Sequence, residues 1–250
     1  MVGFKAAFQN EIFKIKKKKK LIAAGILAFL AVIIGQLAVT LINQNLGLLV
    51  VTATELPLII LNLMVHSLFP LFITFIAIDM FNGEFNSNTM KITLSNPASR
   101  FTFFSAKFSA LLLVIVLNLV FVLIISLLFG ILFNISTVTL IGILKALLAY
   151  IVTILPLALF ALLVLLLANW IKGGITVFFV TVLLFVAFFV LELVFSSSAS
   201  FLPTANLDWY MLWISNKLNF FKIIRLSVIM IGCSVMLFTG GYMLFERKGI

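Results

Sequence analysis

The sequence predicts an all-α, polytopic membrane protein with six transmembrane helices, and two observations support this fold class. First, 64% of the 250 residues are hydrophobic and only 10% are charged. Second, the apolar residues are gathered into six segments, each long enough to cross a bilayer as a helix of about 20 residues. A chain with a mean hydropathy of +1.35 cannot hide its apolar surface in a water-soluble globule of this size. We therefore expect residues 1–250 to form a single membrane domain.

Residues 1–20 precede the first span and carry seven of the 17 basic residues. Phe4, Phe8, Ile12 and Ile15 recur among the lysines at helical spacing, which predicts an amphipathic helix lying in the membrane interface. The alternative is a solvated basic tail that only sets the orientation. Either way, this distribution of positive charge favours lipid headgroups as partners and not nucleic acid.

The six predicted spans are separated by connections of unequal length. Their approximate bounds are 21–42, 57–81, 104–133, 140–169, 174–196 and 223–245. With the N terminus inside, thirteen basic residues lie on the cytoplasmic side and four lie outside, namely Lys145, Lys217, Lys222 and Arg225. The positive-inside rule therefore predicts that both termini are cytoplasmic.

The excursion at 197–222, before the last span, is longer than the other outer connections. It holds an aromatic patch of Trp209, Tyr210 and Trp213, residues that favour the headgroup level of a bilayer. We expect one or two short helices that lie against the outer leaflet or dip into it. The alternative is an ordinary aromatic belt.

Few polar side chains lie inside the predicted spans, where each is costly unless it is paired. His66 is expected to be a buried, hydrogen-bonded histidine and not a ligand or a catalytic base. Lys145 and Glu192 are placed at similar depths on sequential spans, so an intramembrane ion pair is one possibility and snorkelling of Lys145 to the headgroups is the other. Pro156 predicts a kink in the fourth span.

Enzymatic chemistry has no support in the motifs. The chain contains no serine–histidine, paired-aspartate or His-Glu-x-x-His signature of an intramembrane protease and no phosphate-binding loop. The lone Cys233 can form no internal disulfide, and its neighbours offer no metal ligands. The chain is thus expected to be non-catalytic and to hold no cofactor or metal.

An Asn-Pro-Ala tripeptide at 96–98 occupies the place of the first such motif in aquaporins. Aquaporins need a second copy before the last span, where this chain has only Leu-Pro-Thr-Ala-Asn at 202–206. The tripeptide is also flanked by charges that oppose a re-entrant half-helix, namely Glu84, Lys91, Arg100 and Lys107. An aquaporin is therefore a poor interpretation of this chain.

The polar stretch at 79–107 interrupts the apolar sequence and carries the most informative pattern. It contains an acid at Glu84, then Thr89, Lys91 and Leu94, then Asn-Pro-Ala-Ser-Arg at 96–100, and finally Lys107. In this pattern the chain resembles the permease subunits of bacterial ABC exporters of the second type. It is also similar to them in its basic N-terminal helix with Glu11, its six spans and its basic end at 245–248. That group includes lantibiotic and bacitracin immunity permeases. Asn88 departs from the family pattern, which often has glycine there.

The resemblance implies that residues 82–103 form a cytoplasmic segment that couples the chain to an ATPase. A short helix at 88–95 would end before Pro97 and insert its apolar side chains into a cleft on that subunit. The residues implied in coupling are Glu84, Thr89, Met90, Lys91, Ile92, Leu94 and Arg100. ATP and Mg²⁺ would be bound by two separate ATPase subunits, and the permease would pair with itself or with a homologous permease.

The predicted function is therefore that of a permease subunit in the bacterial plasma membrane, exporting an amphipathic or hydrophobic substrate. The aromatic patch and the strongly apolar spans favour a membrane-active substrate such as an antimicrobial peptide. One alternative is a standalone channel or secondary carrier, which works without an ATPase. A remoter one is a membrane scaffold or sensor that transports nothing.

Overall fold

The computed structural model describes residues 3–46, 52–86, 99–194, 202–215 and 217–247, apart from the side chains of 44–46, 84–86 and 136. We number the α-helices of this part in chain order. They are α1 (Phe4–Lys16), α2 (Lys19–Leu46), α3 (Leu56–His66), α4 (Leu68–Asn86), α5 (Arg100–Phe133), α6 (Leu140–Trp170), α7 (Gly174–Val194), α8 (Tyr210–Ile214) and α9 (Phe220–Arg247). Two 3₁₀ turns, at Ile135–Thr137 and Thr204–Trp209, complete the secondary structure of the described residues.

The predicted all-α membrane fold is confirmed. Among the described residues, α2, α5, α6, α7 and α9 are each long and apolar enough to span a membrane. The second predicted span is a pair of helices, α3 and α4, bent by 47° at Ser67. Counted as one broken span, the pair brings the total to six. By contrast, α6 continues through Pro156 as one helix of 31 residues.

The centre of the bundle is α6, whose small and aliphatic residues are buried along most of its length. It contacts α9 and α4 extensively and also packs on α3, α5, α7 and α8. In contrast, α7 buries only Val177 and Thr181 and leaves large apolar side chains such as Leu183 exposed. Such exposed apolar faces are what a helix presents to lipid.

Two ends of the bundle can be distinguished from the contacts. At the end that we call the terminal end, α1 packs along the start of α5, beside the ends of α4 and α9. At the opposite end, the turn at Thr204–Trp209 and α8 pack on α6 and reach α7 and α3. The excursion thus contains the short helical pieces that the sequence predicts. Its position relative to a leaflet, like the orientation of the termini, stays a prediction.

The amphipathic N-terminal helix is present as α1, but its packing differs from a simple apolar stripe. Ala7, Glu11 and Ile15 are its buried residues, whereas Phe4 and Phe13 are exposed. The face of α1 that packs on the bundle therefore includes the Glu11 carboxylate, whereas Phe4 and Phe13 point away from the bundle.

Candidate functional site

Most of the predicted coupling residues lie outside the part of the chain that the structure describes. This applies to Thr89, Met90, Lys91, Ile92 and Leu94 and to the side chain of Glu84. The structure does describe the two helices on either side, since α4 ends at Asn86 and α5 begins at Arg100. The candidate site therefore consists of the residues that hold the end of α4 and the start of α5 in place.

A buried ion pair holds the start of α5 against α1. The Lys107 side chain is 0% exposed, and its Nζ lies 3.0 Å from Oε2 of Glu11, which is 3% exposed. Lys107 Nζ also donates to the Met80 carbonyl oxygen near the end of α4, at 2.9 Å, and lies 5.5 Å from the centre of the Phe81 ring. Two buried charges are tolerated only when they are paired and further hydrogen-bonded. This lysine therefore joins α1, α4 and α5 at one point.

Glu11 has a second cationic partner. Lys14 Nζ lies 2.8 Å from Glu11 Oε1, one helical turn along α1. The carboxylate is thus bracketed by a fully buried ammonium group and a partly exposed one, and each of its oxygens has a charged partner.

Arg100 and Ser99 define the start of α5. The Ser99 hydroxyl accepts a hydrogen bond from the Thr102 amide, which is the usual arrangement at a helix N-cap. The Arg100 guanidinium donates to the Glu246 carbonyl oxygen near the C-terminal end of α9. A cation at that position satisfies a carbonyl left free by the helix and complements the helix dipole. Arg100 therefore links the start of α5 to α9.

Asp79 and Asn82 fix the end of α4 to two further elements. Asp79 Oδ1 lies 2.9 Å from Lys20 Nζ, and its Oδ2 lies 3.5 Å from Lys18 Nζ. Asn82 Nδ2 donates to the carbonyl oxygens of Ile171 and Lys172, at 2.9 and 3.1 Å, in the connection between α6 and α7. The end of α4 is thus bonded to the start of α2 and to that connection.

An aromatic cluster fills the space between these polar contacts. Phe81 and Phe104 are fully buried and their ring centroids are 6.0 Å apart. Phe104 also packs against rings of α9, with centroid distances of 5.1 Å to Phe238 and 5.7 Å to Phe245. Together, these contacts make the ends of α4, α5 and α9 one packed unit, so a displacement of one end is transmitted to the others.

Comparison with known proteins supplies the identity of this arrangement. The model of the ABC-2 family transporter protein matches residues 7–187. The chain belongs to the ABC-2 transporter family. No curated protein matches the chain at a significant level. The match begins within α1 and ends within α7, and it includes all the contacts that hold the ends of α4 and α5 except those to α9.

Family membership has direct consequences for this ABC-2 protein. The family supplies the membrane component of ABC transporters, a component that is generally non-catalytic and works with an ATPase partner. The chain is accordingly an ABC-2 type permease and a multi-pass protein of the cell membrane. The helices that flank residues 87–98 are thus part of a transporter and not of an isolated bundle.

At the opposite end of this ABC-2 protein, polar side chains gather around the break in the second span. His66 Nδ1 lies 3.0 Å from the Asn62 carbonyl oxygen, and His66 Nε2 lies 3.6 Å from Oδ2 of Asp208. Asn62 Nδ2 donates to Asp208 Oδ1 at 3.1 Å and to the Tyr210 hydroxyl at 3.3 Å. His66 is hydrogen-bonded, as predicted, but it is half-buried and pairs with an acid from the excursion.

Residues of the aromatic patch make both ring-packing contacts and polar contacts. Trp209 and Tyr210 are buried, and the rings of Trp209 and Trp213 meet edge to face at 5.5 Å. Burial raises the pKa of the Tyr210 phenol above its ordinary value. The negative charge of Asp208 acts in the same direction, and the hydrogen bond from Asn62 acts in the opposite one. Tyr210 therefore stays neutral and anchors α8 to α3.

Lys145 and Glu192 line two different cavities. Lys145 lies in a cavity of about 360 Å³ with Glu55 and Thr139. Glu192 lies in another, of about 480 Å³, with Asp208 and Trp209. The two cavities share no lining residue, and an ion pair between Lys145 and Glu192 stays a prediction.

Sequence reasoning missed most of the partners in the site. It noted Glu11 and Lys107 separately but not their pairing, and it did not connect Asp79 with Lys18 and Lys20. One signal was available for the first pair. Glu11 is the one acidic residue in positions 1–54, and Lys107 falls inside a predicted span. A charged side chain inside a span is stable only when it is paired with an opposite charge.

Proposed function

We propose that this protein is the transmembrane subunit of an ATP-driven exporter, and that residues 87–98 transmit movement from an ATPase subunit to the spans. The observation that carries the proposal is that both helices flanking the segment are fixed to other elements. α4 is bonded through Asp79 and Asn82, and α5 through Arg100 and Lys107. A displacement imposed on the segment would therefore move α1, α9 and the α6–α7 connection together.

The proposed assembly contains two ATPase subunits, which bind ATP and Mg²⁺, and a second permease subunit. Family membership supports an ATPase partner. Pairing of two permeases is supported by the long apolar faces that α2, α7 and α9 leave exposed, since a partner helix can cover such a face as well as lipid can. In this assembly the chain itself catalyses no reaction.

For the cargo, we propose an amphipathic, membrane-active molecule such as an antimicrobial peptide. The cavity of about 480 Å³ at the opposite end is lined by two acidic residues, Glu192 and Asp208, and one lysine, Lys222, which gives the lining a formal charge of −1. The Trp209 ring and apolar side chains such as Leu212 also line it. Carboxylates and an aromatic face attract cationic groups, and the apolar walls suit a hydrophobic part. This mixed lining supports a cationic amphiphile as cargo.

The decisive experiment replaces Leu94 with aspartate. If Leu94 inserts into an apolar cleft of the ATPase, desolvating an unpaired carboxylate there costs several kcal/mol. Each 1.4 kcal/mol lowers affinity tenfold, so we expect the variant to reach normal levels in the membrane but to lose its co-purifying ATPase and its transport activity. The spans should be unaffected, because residues 87–98 follow the end of the predicted second span.

The matched control is Ser215→Asp, which adds the same charge at an exposed position of the opposite end. This variant should retain both the ATPase and transport. Transport by Leu94→Asp at the wild-type rate and expression level would contradict the exporter and favour a channel or secondary carrier that works alone.

A further inference from the structure

His66 ends α3 at the break in the second span, and both nitrogens of its ring face oxygen atoms. Nδ1 lies 3.0 Å from the Asn62 carbonyl oxygen, and Nε2 lies 3.6 Å from Oδ2 of Asp208. The first distance is that of a hydrogen bond, and the second is that of an ion pair. These contacts lie at the opposite end of the bundle from residues 87–98 and have no part in the proposed coupling.

The two oxygens determine how many protons the ring needs. A carbonyl oxygen and a carboxylate oxygen only accept hydrogen bonds, whereas a neutral histidine ring carries a single N–H group. Whichever nitrogen of a neutral His66 ring holds the hydrogen, the lone pair of the other nitrogen therefore faces an acceptor. The protonated ring has an N–H group at each nitrogen. Only this form presents a donor to both the Asn62 oxygen and the Asp208 oxygen.

The position of His66 within α3 also favours a positive charge. It is the last residue of a helix of 11 residues. The free carbonyl groups at such an end carry a negative partial charge, which stabilises an imidazolium ion there.

The charged groups near the pair sum to zero only when the ring is protonated. Glu192 of α7 acts electrostatically on both Asp208 and His66. Lys222 of α9 lines the cavity that Glu192 and Asp208 share. Two carboxylates and one ammonium group leave a charge of −1, which one imidazolium ion balances. The Tyr210 hydroxyl, which belongs to the same group of contacts, adds no charge.

The other helices around α3 place no further charge beside the ring. A cavity of about 210 Å³ that His66 lines receives only uncharged side chains from α4, α6 and α7 among the described residues. Lys145 of α6 and Glu55 line a separate cavity at the start of α3. The charged residues of α2, α4 and α5 lie towards the terminal end and are Lys19, Lys20, Asp79, Glu84, Arg100 and Lys107.

We propose that His66 is a proton-binding site whose charge holds the excursion on the break in the second span. Histidine ordinarily changes its charge between about pH 5 and 8. With the proton bound, the ring pairs with Asp208 and the turn at Thr204–Trp209 stays on α3. As the pH rises and the proton leaves, a lone pair faces an oxygen and the ion pair is lost, so the excursion detaches more often. The hydrogen bond from Asn62 to Asp208 is present in either state, and the effect is therefore a shift in population.

The side chains of the pair are accessible enough to exchange a proton. That of His66 is 30% exposed and that of Asp208 is 46% exposed. The same exposure limits the strength of the ion pair. The device depends on the contacts between α3 and the excursion alone, so it operates whether or not the protein transports.

The first experiment detects the proton directly. His66 is the one histidine in the chain, so the full-length protein, labelled with ¹⁵N-histidine and purified without a histidine tag, gives ring signals from His66 alone. In lipid nanodiscs, we expect the ¹⁵N shifts of a ring protonated on both nitrogens at about pH 5.5 and those of a neutral ring at about pH 8. A ring that keeps one protonation state over this range would overturn the proposal.

The second experiment follows the excursion. Spin labels at Leu63→Cys on α3 and Met211→Cys on α8, both at exposed positions, report the distance between the two helices by electron–electron double resonance. The background is Cys233→Ala. We expect a shorter and a longer distance, with the population of the longer one about two- to fivefold higher at about pH 8 than at about pH 5.5, as one half-exposed ion pair can supply. Identical distributions at the two pH values would overturn the proposal.

Four variants attribute this response to the pair. His66→Gln and Asp208→Asn should each give the same distribution at both pH values, because one partner can no longer be charged. His66→Lys keeps a positive charge throughout and should retain the shorter distance at both. Glu55→Gln, the matched control, removes an exposed acid at the other end of α3 and should respond as the wild type does. A wild-type response in His66→Gln or His66→Lys would contradict the proposal, and so would loss of the response in Glu55→Gln.

Discussion

Glu11 and Lys107 form a buried ion pair that joins the N-terminal helix to the start of α5, with 3.0 Å between Oε2 and Nζ. The pair is 96 residues apart in sequence. The same ammonium group is bonded to the Met80 carbonyl oxygen near the end of α4. The helix predicted to lie in the membrane interface is thus bonded to α5 and, through the Lys107 side chain, linked to α4.

Removing one member of the Glu11–Lys107 pair should destabilise the protein strongly. Lys107→Met leaves the buried Glu11 carboxylate with only the partly exposed Lys14 as a cationic partner. Removing one member of a buried ion pair costs about 3 to 5 kcal/mol when no other partner remains, and Lys14 reduces that cost. Replacing both residues, as Glu11→Leu with Lys107→Met, should restore much of the loss because no charge is then left unpaired. Thermal unfolding in detergent measures the difference. Lys5→Met, at an exposed position of α1, is the control. Additive losses in the double variant would show that the two residues do not stabilise each other.

Asp208 should hold the excursion on α3. Asp208→Ala removes the acceptor of Asn62 and the partner of His66, so we expect α8 and the residues after it to detach more often. Trypsin cleavage at Lys217 and Lys222, both exposed, should then be several-fold faster. Met211→Ala, an exposed position on α8, should leave the cleavage rate unchanged. Equal rates in wild type and Asp208→Ala would mean that the apolar contacts of Trp209 alone position the excursion.

Gly130 should tolerate no side chain. A Cβ at this position of α5 would collide with the backbone carbonyl of Ala53, and backbone cannot move aside as a side-chain tip can. Gly130→Ala should therefore lower the thermal stability. Gly25→Ala, where the new Cβ lies 3.9 Å from a Phe121 atom, should raise stability by about 0.5 to 1 kcal/mol through the lower entropy of the unfolded chain. Stabilisation by both substitutions would indicate that α5 and Ala53 do not pack as described.

The orientation of the bundle rests on the distribution of thirteen basic residues against four. In a Cys233→Ala background, we expect Asn45→Cys to react with an impermeant thiol reagent added to intact cells. Asn88→Cys should react only after the membrane is permeabilised. Labelling of Asn88→Cys in intact cells would contradict the predicted topology.

The fold was predictable from the sequence because the length of an apolar segment is a local property of the chain. Each span needs about 20 apolar residues, and such runs can be located without knowing what they contact. The predicted third span, 104–133, and the observed α5, Arg100–Phe133, differ only at the start, where Ser99 caps the helix. The resemblance to a family likewise depended on a contiguous pattern around residues 84–107, and the match over residues 7–187 confirms that the chain is an ABC-2 type permease.

What only the tertiary structure decided is which distant groups meet. Glu11 and Lys107 are 96 residues apart, Asp79 and Lys20 are 59 apart, and His66 and Asp208 are 142 apart. Nothing local in the sequence specifies such pairings. The break at Ser67 also required the structure, because the only kink that the sequence predicted was at Pro156 in α6. That helix is continuous through Pro156, which is buried. The thickness of the bilayer determines how long each helix must be. The packing of side chains within the bundle determines which charged residues form ion pairs. The length of a span can therefore be read along the chain, and its contacts cannot.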